Sequence, residues 1–243
     1  MILKSMERKT HFRFKKFTVA HGRSTMKVGT DAVLLGAWVH VRNAQQILDI
    51  GTGSGTIALM LAQRSVDTGA TIDAVEIEET DALQAKENFT TSPWSSRIHL
   101  HHVAIQQFRP YKYYDVIVSN PPYFNNSQKP PDTKRHQARH TVTLPYDELI
   151  AATLQLLYED GSFNVILPFT EGLHFTDVAK QHGLFCSRQF SFRSKAQKPI
   201  ERLLLEFRKT ESTIETGEIV LYQDNEQWSD EYIRLTSDFY LKL

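Results

Sequence analysis

Two short stretches of this 243-residue chain carry residue types that could bind a ligand and act on it. In the first, residues 49–55 read Asp-Ile-Gly-Thr-Gly-Ser-Gly, between an apolar run and a helical stretch. Glycines at such a turn let the backbone bend sharply and approach a ligand without interference from side chains. Glu76 follows about 20 residues later, where a carboxylate can accept hydrogen bonds from ribose hydroxyls. The pattern predicts a nucleoside-containing cofactor and fits a nicotinamide dinucleotide as well as a methyl donor; its predicted binding residues are Asp49, Gly51, Gly53, Gly55 and Glu76.

The second stretch is Asn120-Pro121-Pro122-Tyr123, which follows the apolar run at 115–118 after one residue, Ser119. Continuous apolar character predicts a strand that is buried on both faces of a sheet. In an open α/β sheet, ligands bind beyond the carboxyl ends of the strands. The sequence therefore predicts that these residues and the glycine-rich turn face one crevice.

In that position the four residues resemble the signature of the amino-nitrogen branch of class I methyltransferases, in which Asn, Asp or Ser precedes two prolines and an aromatic residue. The resemblance implies S-adenosyl-L-methionine as cofactor and a planar amino nitrogen as methyl acceptor. It implies catalytic roles for Asn120, Pro121 and Tyr123, with Asn120 also beside the cofactor. The Asn120 side-chain oxygen and the Pro121 carbonyl would accept the amino hydrogens. Tyr123 would stack on the base.

A narrower resemblance covers residues 26–38, which are similar to the segment before the sheet in bacterial tRNA (adenine-N6)-methyltransferases that modify valine tRNA beside the anticodon. Residues 135–141 and 198–206 agree with it. The resemblance implies that Gly29, Thr30 and Asp31 lie near the methionine end of the cofactor. Ala104 stands where many relatives place an acid or amide for the cofactor adenine, so a contact there would use backbone groups. The implied acceptor is N6 of an adenine in tRNA, the adenosine 3′ of the valine anticodon.

Other functions remain open. The same chemistry could act on guanine N2 of rRNA, on a DNA adenine or on a protein glutamine. A nicotinamide enzyme or a non-catalytic nucleic-acid-binding protein could also use a similar sheet. The chain has about 45 residues before its first predicted sheet strand and no separate recognition domain, which favours RNA.

Strands and helices alternate from 45 to 209, which predicts βαβ units and an α/β fold of the Rossmann-like class I methyltransferase type. We expect a mostly parallel seven-stranded sheet with helices on both faces and a closing antiparallel pair. The predicted strands are 46–50, 71–77, 98–103, 115–118, 162–167, 185–192 and 202–207. Ahead of them we expect a strand or hairpin around 12–19 and a helix over 32–39, capped by Thr30 or Asp31.

Three parts are predicted along the chain: a basic N-terminal extension with the cofactor-closing segment (1–44), the methyltransferase domain (45–209) and an acidic C-terminal segment packed on that domain (210–243). Basic residues are concentrated in 1–27, 109–140 and 188–209, although 28 basic and 28 acidic residues balance overall. Such asymmetry predicts a surface for a polyanion. The one cysteine, Cys186, excludes an internal disulfide, and no apolar run reaches the length of a membrane span. We expect a cytoplasmic protein with no membrane partner, no metal site and no obligate protein partner.

Overall fold

The computed structural model describes residues 10–24, 27–122 and 144–242. The strands are β1 (His11–Arg13), β2 (Thr18–Ala20), β3 (Gln46–Ile50), β4 (Thr71–Glu76), β5 (Ile98–His102), β6 (Tyr114–Ser119), β7 (Leu157–Pro168), β8 (Phe185–Lys195), β9 (Arg202–Arg208) and β10 (Glu215–Tyr222). The α-helices are α1 (Thr30–Trp38), α2 (Thr56–Arg64), α3 (Glu79–Thr90), α4 (Tyr146–Leu156), α5 (Phe169–Gln181) and α6 (Asp230–Thr236).

The central sheet has the strand order β10-β8-β9-β7-β6-β3-β4-β5. Strand β9 runs antiparallel to β7 and β8, and the remaining neighbours are parallel. Chain order proceeds outward through β4 and β5 on one side of β3, then restarts with β6 on its other side. This reversal opens a crevice at the carboxyl ends of β3 and β6, which is where ligands bind in such sheets.

All seven predicted sheet strands are present, and the mostly parallel α/β fold is confirmed. The predicted count is one short, because β10 adds an eighth strand at the edge beside β8. Its first half is polar, and Ile219 is its one buried hydrophobic residue, so it lacks the apolar run of an interior strand. Gly217 permits the close pairing, because a Cβ there would lie 2.4 Å from Cε1 of Phe190.

Helices cover both faces of the sheet. Residues of α1, α2, α3 and α6 pack in one buried cluster, and residues of α4 and α5 pack in the other. Strand β3 serves both, since Ile47 belongs to the first cluster while Leu48 and Ile50 belong to the second. Alternate side chains of a strand point to opposite faces of the sheet. Because both faces are buried at β3, its apolar run is continuous.

Residues 10–24, here called the N-terminal arm, form a hairpin, the second of the two predicted alternatives, in which β1 and β2 pair antiparallel. The rings of Phe14 and Phe17 stack at 4.6 Å between centroids, and Phe17 meets Trp94 at 5.7 Å. Near the other end of the chain, the carbonyl of Phe239 accepts the Lys15 N–H at 2.8 Å. The arm therefore packs against both α3's following turn and the segment after α6.

The start of α1 differs from the expectation. The helix begins at Thr30, its N-cap is Gly29, and no side chain caps it, so the prediction that Thr30 or Asp31 would cap a helix over 32–39 is wrong. Asp31 instead pairs with the guanidinium of Arg202, with 2.9 Å between Oδ2 and Nε. The partner of this carboxylate is distant in sequence, so local sequence patterns do not reveal it.

Cys186 lies in β8, and its side chain is buried. Burial raises the pKa of its thiol to about 11, so it stays protonated and unreactive at neutral pH. Within 10–24, 27–122 and 144–242, no helix is both long and apolar enough to span a membrane.

Candidate active site

A cavity of about 780 Å³ lies at the carboxyl edge of the sheet and is here called the crevice. The structure brings together at its wall most of the residues that the sequence singled out, namely Gly29, Thr30, Asp31, Gly51, Gly53, Glu76, Ala104, Asn120 and Pro121. Asp49 and Gly55 do not line it, and Tyr123 lies outside the described residues. Most of the residues predicted to bind the cofactor or to act in catalysis therefore lie at one site.

Asp49 lies beneath the turn that joins β3 to α2. Its Oδ2 accepts the Thr52 hydroxyl at 2.6 Å and the Ala58 N–H at 3.2 Å, and its side chain is fully buried. Burial raises the pKa of this carboxyl to about 7. In this position Asp49 holds the turn in shape from below, and a direct contact with the cofactor stays a prediction.

Residues 51–55, the glycine loop, use their glycines for two different reasons. Gly51 and Gly53 have φ of +71° and +55°, and a Cβ at either would meet nothing within 4 Å, so their missing side chains leave open space. Gly55 also has positive φ, but a Cβ there would lie 2.4 Å from Cε1 of Phe89 on α3. The first two glycines shape a cradle for a ligand, whereas Gly55 is required for packing against the helix.

Glu76 ends β4 and is nearly buried, at 6% exposure. Its Oε1 accepts the N–H groups of Ile77 and Glu78 at 2.8 and 2.9 Å, and its Oε2 accepts that of Gly53 at 2.8 Å. Burial raises the pKa of this carboxyl. Because Oε2 accepts one of these bonds and Oε1 two, Oε2 is the oxygen with capacity left for a ligand hydroxyl.

Asn120 and Pro121 follow β6 and reach the crevice directly beside the glycine loop. The preceding Ser119 donates its hydroxyl to the Ile50 carbonyl at 2.9 Å, which joins the ends of β6 and β3. Pro121 is buried and Asn120 half-buried. The ring of Pro121 fixes its φ, and the following Pro122 restricts its ψ, so the direction of the Pro121 carbonyl is largely preset.

The crevice also has wall residues that the sequence did not single out. Arg202, Ser194 and Phe192 come from the antiparallel pair of β8 and β9. Since β9 is antiparallel to β7, its first residue lies at the edge where the parallel strands end. The prediction of an antiparallel pair could have identified Arg202. In a strand that runs against the parallel strands, the first residue and not the last faces the site.

Carboxylates are frequent around the crevice, whose wall includes Asp31, Glu76, Glu78, Asp81 and Glu201 against Lys27 and Arg202. None of the histidines in the described ranges lines it. His101, for example, pairs with the buried Asp73 at 2.6 Å on the neighbouring strands. The described part of the site thus favours a cationic ligand and offers no imidazole base, which fits S-adenosylmethionine with its sulfonium and ammonium groups.

Comparison with known proteins identifies the class. The sequence profile of the Methyltransferase small domain family matches residues 16–182. In the same fold, a predicted O-methyltransferase from Agrobacterium tumefaciens superposes with a TM-score of 0.66 at 14% identity, over 86% of this chain and 96% of that one. The fold and the crevice are those of a class I S-adenosylmethionine-dependent methyltransferase.

Curated relatives narrow the assignment. The tRNA1(Val) (adenine(37)-N6)-methyltransferase of Bacteroides fragilis is 46% identical over 96% of this chain and 98% of its own length. The enzyme of the same name from Trichodesmium erythraeum is 43% identical over 95% and 98%. The chain belongs to the family of these enzymes, within the Methyltransferase small domain family.

The open space beside the Cα of Gly51 gives a first prediction. Gly51→Val should abolish binding of S-adenosylhomocysteine, because valine fills the cradle and resists positive φ. Gly69→Val is the matched control: Gly69 has φ of +66° and an equally open Cβ position, but it does not line the crevice. Isothermal titration calorimetry should show lost binding in the first variant only. Equal affinity in both would place the ligand elsewhere.

The buried acid gives a second prediction. The pKa of Asp49 is about 7 in the folded protein against an ordinary value of 3.8, so the folded state binds the proton more tightly than the unfolded chain. The stability that this proton contributes is therefore lost as pH rises from about 4 to about 7. Asp49→Asn should lose less unfolding free energy over that range, measured by urea denaturation. Asp67→Asn, at an exposed acid, is the control, and parallel curves for wild type and Asp49→Asn would contradict the prediction.

Proposed function

We propose that this protein transfers a methyl group from S-adenosyl-L-methionine to N6 of an adenine in tRNA, at the adenosine 3′ of the valine anticodon. The observation that carries the proposal is the placement of Asn120 and Pro121 in the same crevice as the glycine loop and Glu76. The names of the relatives support the choice of tRNA and of the nucleotide. A reducing cytoplasm, where tRNA resides, suits a chain whose one cysteine is buried.

The residues present fit the cofactor. The bare Cα positions of Gly51 and Gly53 leave room for it, and Glu76 Oε2 can accept a ribose hydroxyl. Gly29, Thr30 and Asp31 also line the crevice, and we place the methionine end of the cofactor beside them. Ala104 lines the crevice after β5, and its methyl side chain leaves only backbone groups there for the cofactor adenine.

Asn120 and Pro121 would orient the methyl acceptor. The lone pair of an adenine amino group is delocalised into the ring, so the group is a weak nucleophile. The Asn120 side-chain oxygen and the Pro121 carbonyl accept its two hydrogens, which draws the nitrogen towards tetrahedral geometry and frees the lone pair. These bonds strengthen in the transition state, and that difference is what accelerates a reaction.

S-adenosylmethionine, when bound, supplies an electrophilic methyl group on a positively charged sulfur. The protein's contribution is then to hold the amino nitrogen in line with that group, a positioning effect that can supply much of the barrier reduction. The methylated amine loses its proton readily, so no strong base is required. This agrees with a crevice whose described wall contains no histidine. Tyr123 would hold the base by stacking.

The N-terminal arm would bind the RNA. Arg13 and Lys16 are exposed on its hairpin, while Lys15 donates its ammonium to the Ser237 carbonyl at 2.6 Å. Exposed cations bind phosphates through release of counterions, which gives affinity without sequence preference. The basic residues of 123–143, which include Lys134 and Arg135, lie outside the described residues. An anticodon-loop base is already partly unpaired, so moving it into the crevice costs less than extracting it from a duplex.

The chemistry is tested at Asn120. Asn120→Ala should lower kcat by about 100-fold or more, as does loss of one transition-state hydrogen-bond partner elsewhere, and leave the Kd of S-adenosylhomocysteine close to wild type. Single-turnover methyl transfer and calorimetry give the two quantities. Asn43→Ala, at an exposed asparagine outside the crevice, is the control. An active Asn120→Ala enzyme would refute the mechanism.

The substrate is tested separately. Methyl transfer should be measured with valine tRNA, with the same tRNA carrying guanosine at the target position, and with duplex DNA. We expect activity on the first alone, because only it presents an adenine N6 at the target position of an unpaired loop. Equal activity on the first two, or a preference for DNA, would overturn the substrate while leaving the amino-methyltransferase chemistry intact.

A further inference from the structure

A single buried amide joins the N-terminal arm to the glycine loop. The Asn88 side chain, on α3, is 2% exposed. Its Oδ1 accepts the Ala20 N–H at 2.9 Å and its Nδ2 donates to the Ala20 carbonyl at 2.8 Å, so both backbone groups of one arm residue are bound. The same Nδ2 donates to the Ser54 carbonyl at 2.8 Å. Both amide hydrogens and the amide oxygen are thereby used.

The loop end of this link leads directly to the proposed cofactor contacts. Ser54 lines the crevice, and the adjacent Gly53 donates its N–H to Oε2 of Glu76, the oxygen with capacity for a ligand hydroxyl. Phe89, the neighbour of Asn88, packs beneath Gly55 in the same loop. One turn of α3 thus supports the loop through a hydrogen bond and a packed ring.

Helix α3 also binds the arm at a point that does not involve the loop. Gln84, one turn earlier on α3 and also 2% exposed, accepts the Arg23 N–H at 3.2 Å. Asn88 therefore differs from Gln84 in one respect: it binds the arm and the glycine loop at once. Any movement of the loop that shifts the Ser54 carbonyl must also disturb the bonds to Ala20, because an amide is planar and rigid.

We infer that Asn88 is a positioning residue that couples cofactor binding in the crevice to the ordering of the N-terminal arm. The inference rests on the proposed function, which places the cofactor on the glycine loop and RNA on the arm. A ligand that fixes the loop holds Asn88 in place, and Asn88 in turn holds Ala20, the last residue of the hairpin. Because such coupling is reciprocal, an RNA held by the arm should in turn tighten cofactor binding.

The coupling predicts a response far from the ligand. In hydrogen–deuterium exchange of the wild type, saturating S-adenosylhomocysteine should slow exchange in residues 51–58 and also, by about tenfold, in residues 18–24. Asn88→Asp keeps the size of the side chain and the acceptor for Ala20 but loses both donors. In this variant the loop should still respond at saturation, while the response of the arm should fall below about twofold.

Two control variants separate coupling from general loosening. Gln63→Ala removes another buried amide, whose Nε2 donates to the Asp238 carbonyl at 2.9 Å and which does not line the crevice. Gln84→Ala cuts the second hold on the arm and leaves Asn88 intact. Both should retain the arm's response to the ligand, although Gln84→Ala should raise the arm's exchange before ligand is added. Asn88→Ala serves if Asn88→Asp does not fold, as judged by circular dichroism.

The outcomes are distinct. An arm that responds in Asn88→Asp as in wild type, or that stops responding in Gln63→Ala as well, overturns the coupling through Asn88. A wild type whose loop responds but whose arm does not also overturns it, and leaves the cofactor site standing. If neither segment of the wild type responds, the placement of the cofactor on the glycine loop is wrong, and both proposals fail together.

Discussion

The crevice depends on a backbone constraint at the turn from β3 into α2. Gly51, Gly53 and Gly55 all have positive φ, which any other residue would adopt only with strain. Such a turn is stable only if its surroundings hold it. Here three side chains hold it through hydrogen bonds, those of Asp49, Glu76 and Asn88. Asp49 accepts the Thr52 hydroxyl, Glu76 accepts the Gly53 N–H, and Asn88 donates to the Ser54 carbonyl. The loop is therefore the point where strand, helix and site residues meet.

Around this loop, the topology explains why residues far apart in sequence share one wall. The parallel strands β3, β4 and β6 all end at the same edge, so each delivers its last or next residue to the crevice. Strand β9 runs the opposite way and delivers its first residue instead. Arg202 thereby reaches Asp31 at the start of α1, 171 positions away, and closes the wall with an ion pair.

Much of this could be predicted from the sequence. Apolar runs predicted the strands β3, β4 and β6. The glycines predicted the end of β3, and the Asn-Pro-Pro segment predicted the end of β6, because strand burial and turn chemistry are local properties. The edge strand β10 was missed, since an edge strand needs little apolar surface and Ile219 alone does not make a pattern. The prediction that Thr30 or Asp31 caps α1 was wrong, and Asp31 pairs instead with Arg202, which is distant in sequence. The roles of Gly55 and Asn88 were hidden for the same reason: they arise from contacts between α3 and the loop.

Packing between the two ends of the described chain also sets an order of events during synthesis. The Lys15 N–H needs the Phe239 carbonyl, and the Phe14 ring meets that of Phe239 at 6.4 Å. On the ribosome, residues 10–24 emerge long before Phe239, so these contacts of the arm cannot form until Phe239 has been made. The central strands can pair earlier, since domains fold progressively as they emerge. The described lining residues of the crevice all precede Phe239, so in a nascent chain the crevice can form before the arm reaches its final packing.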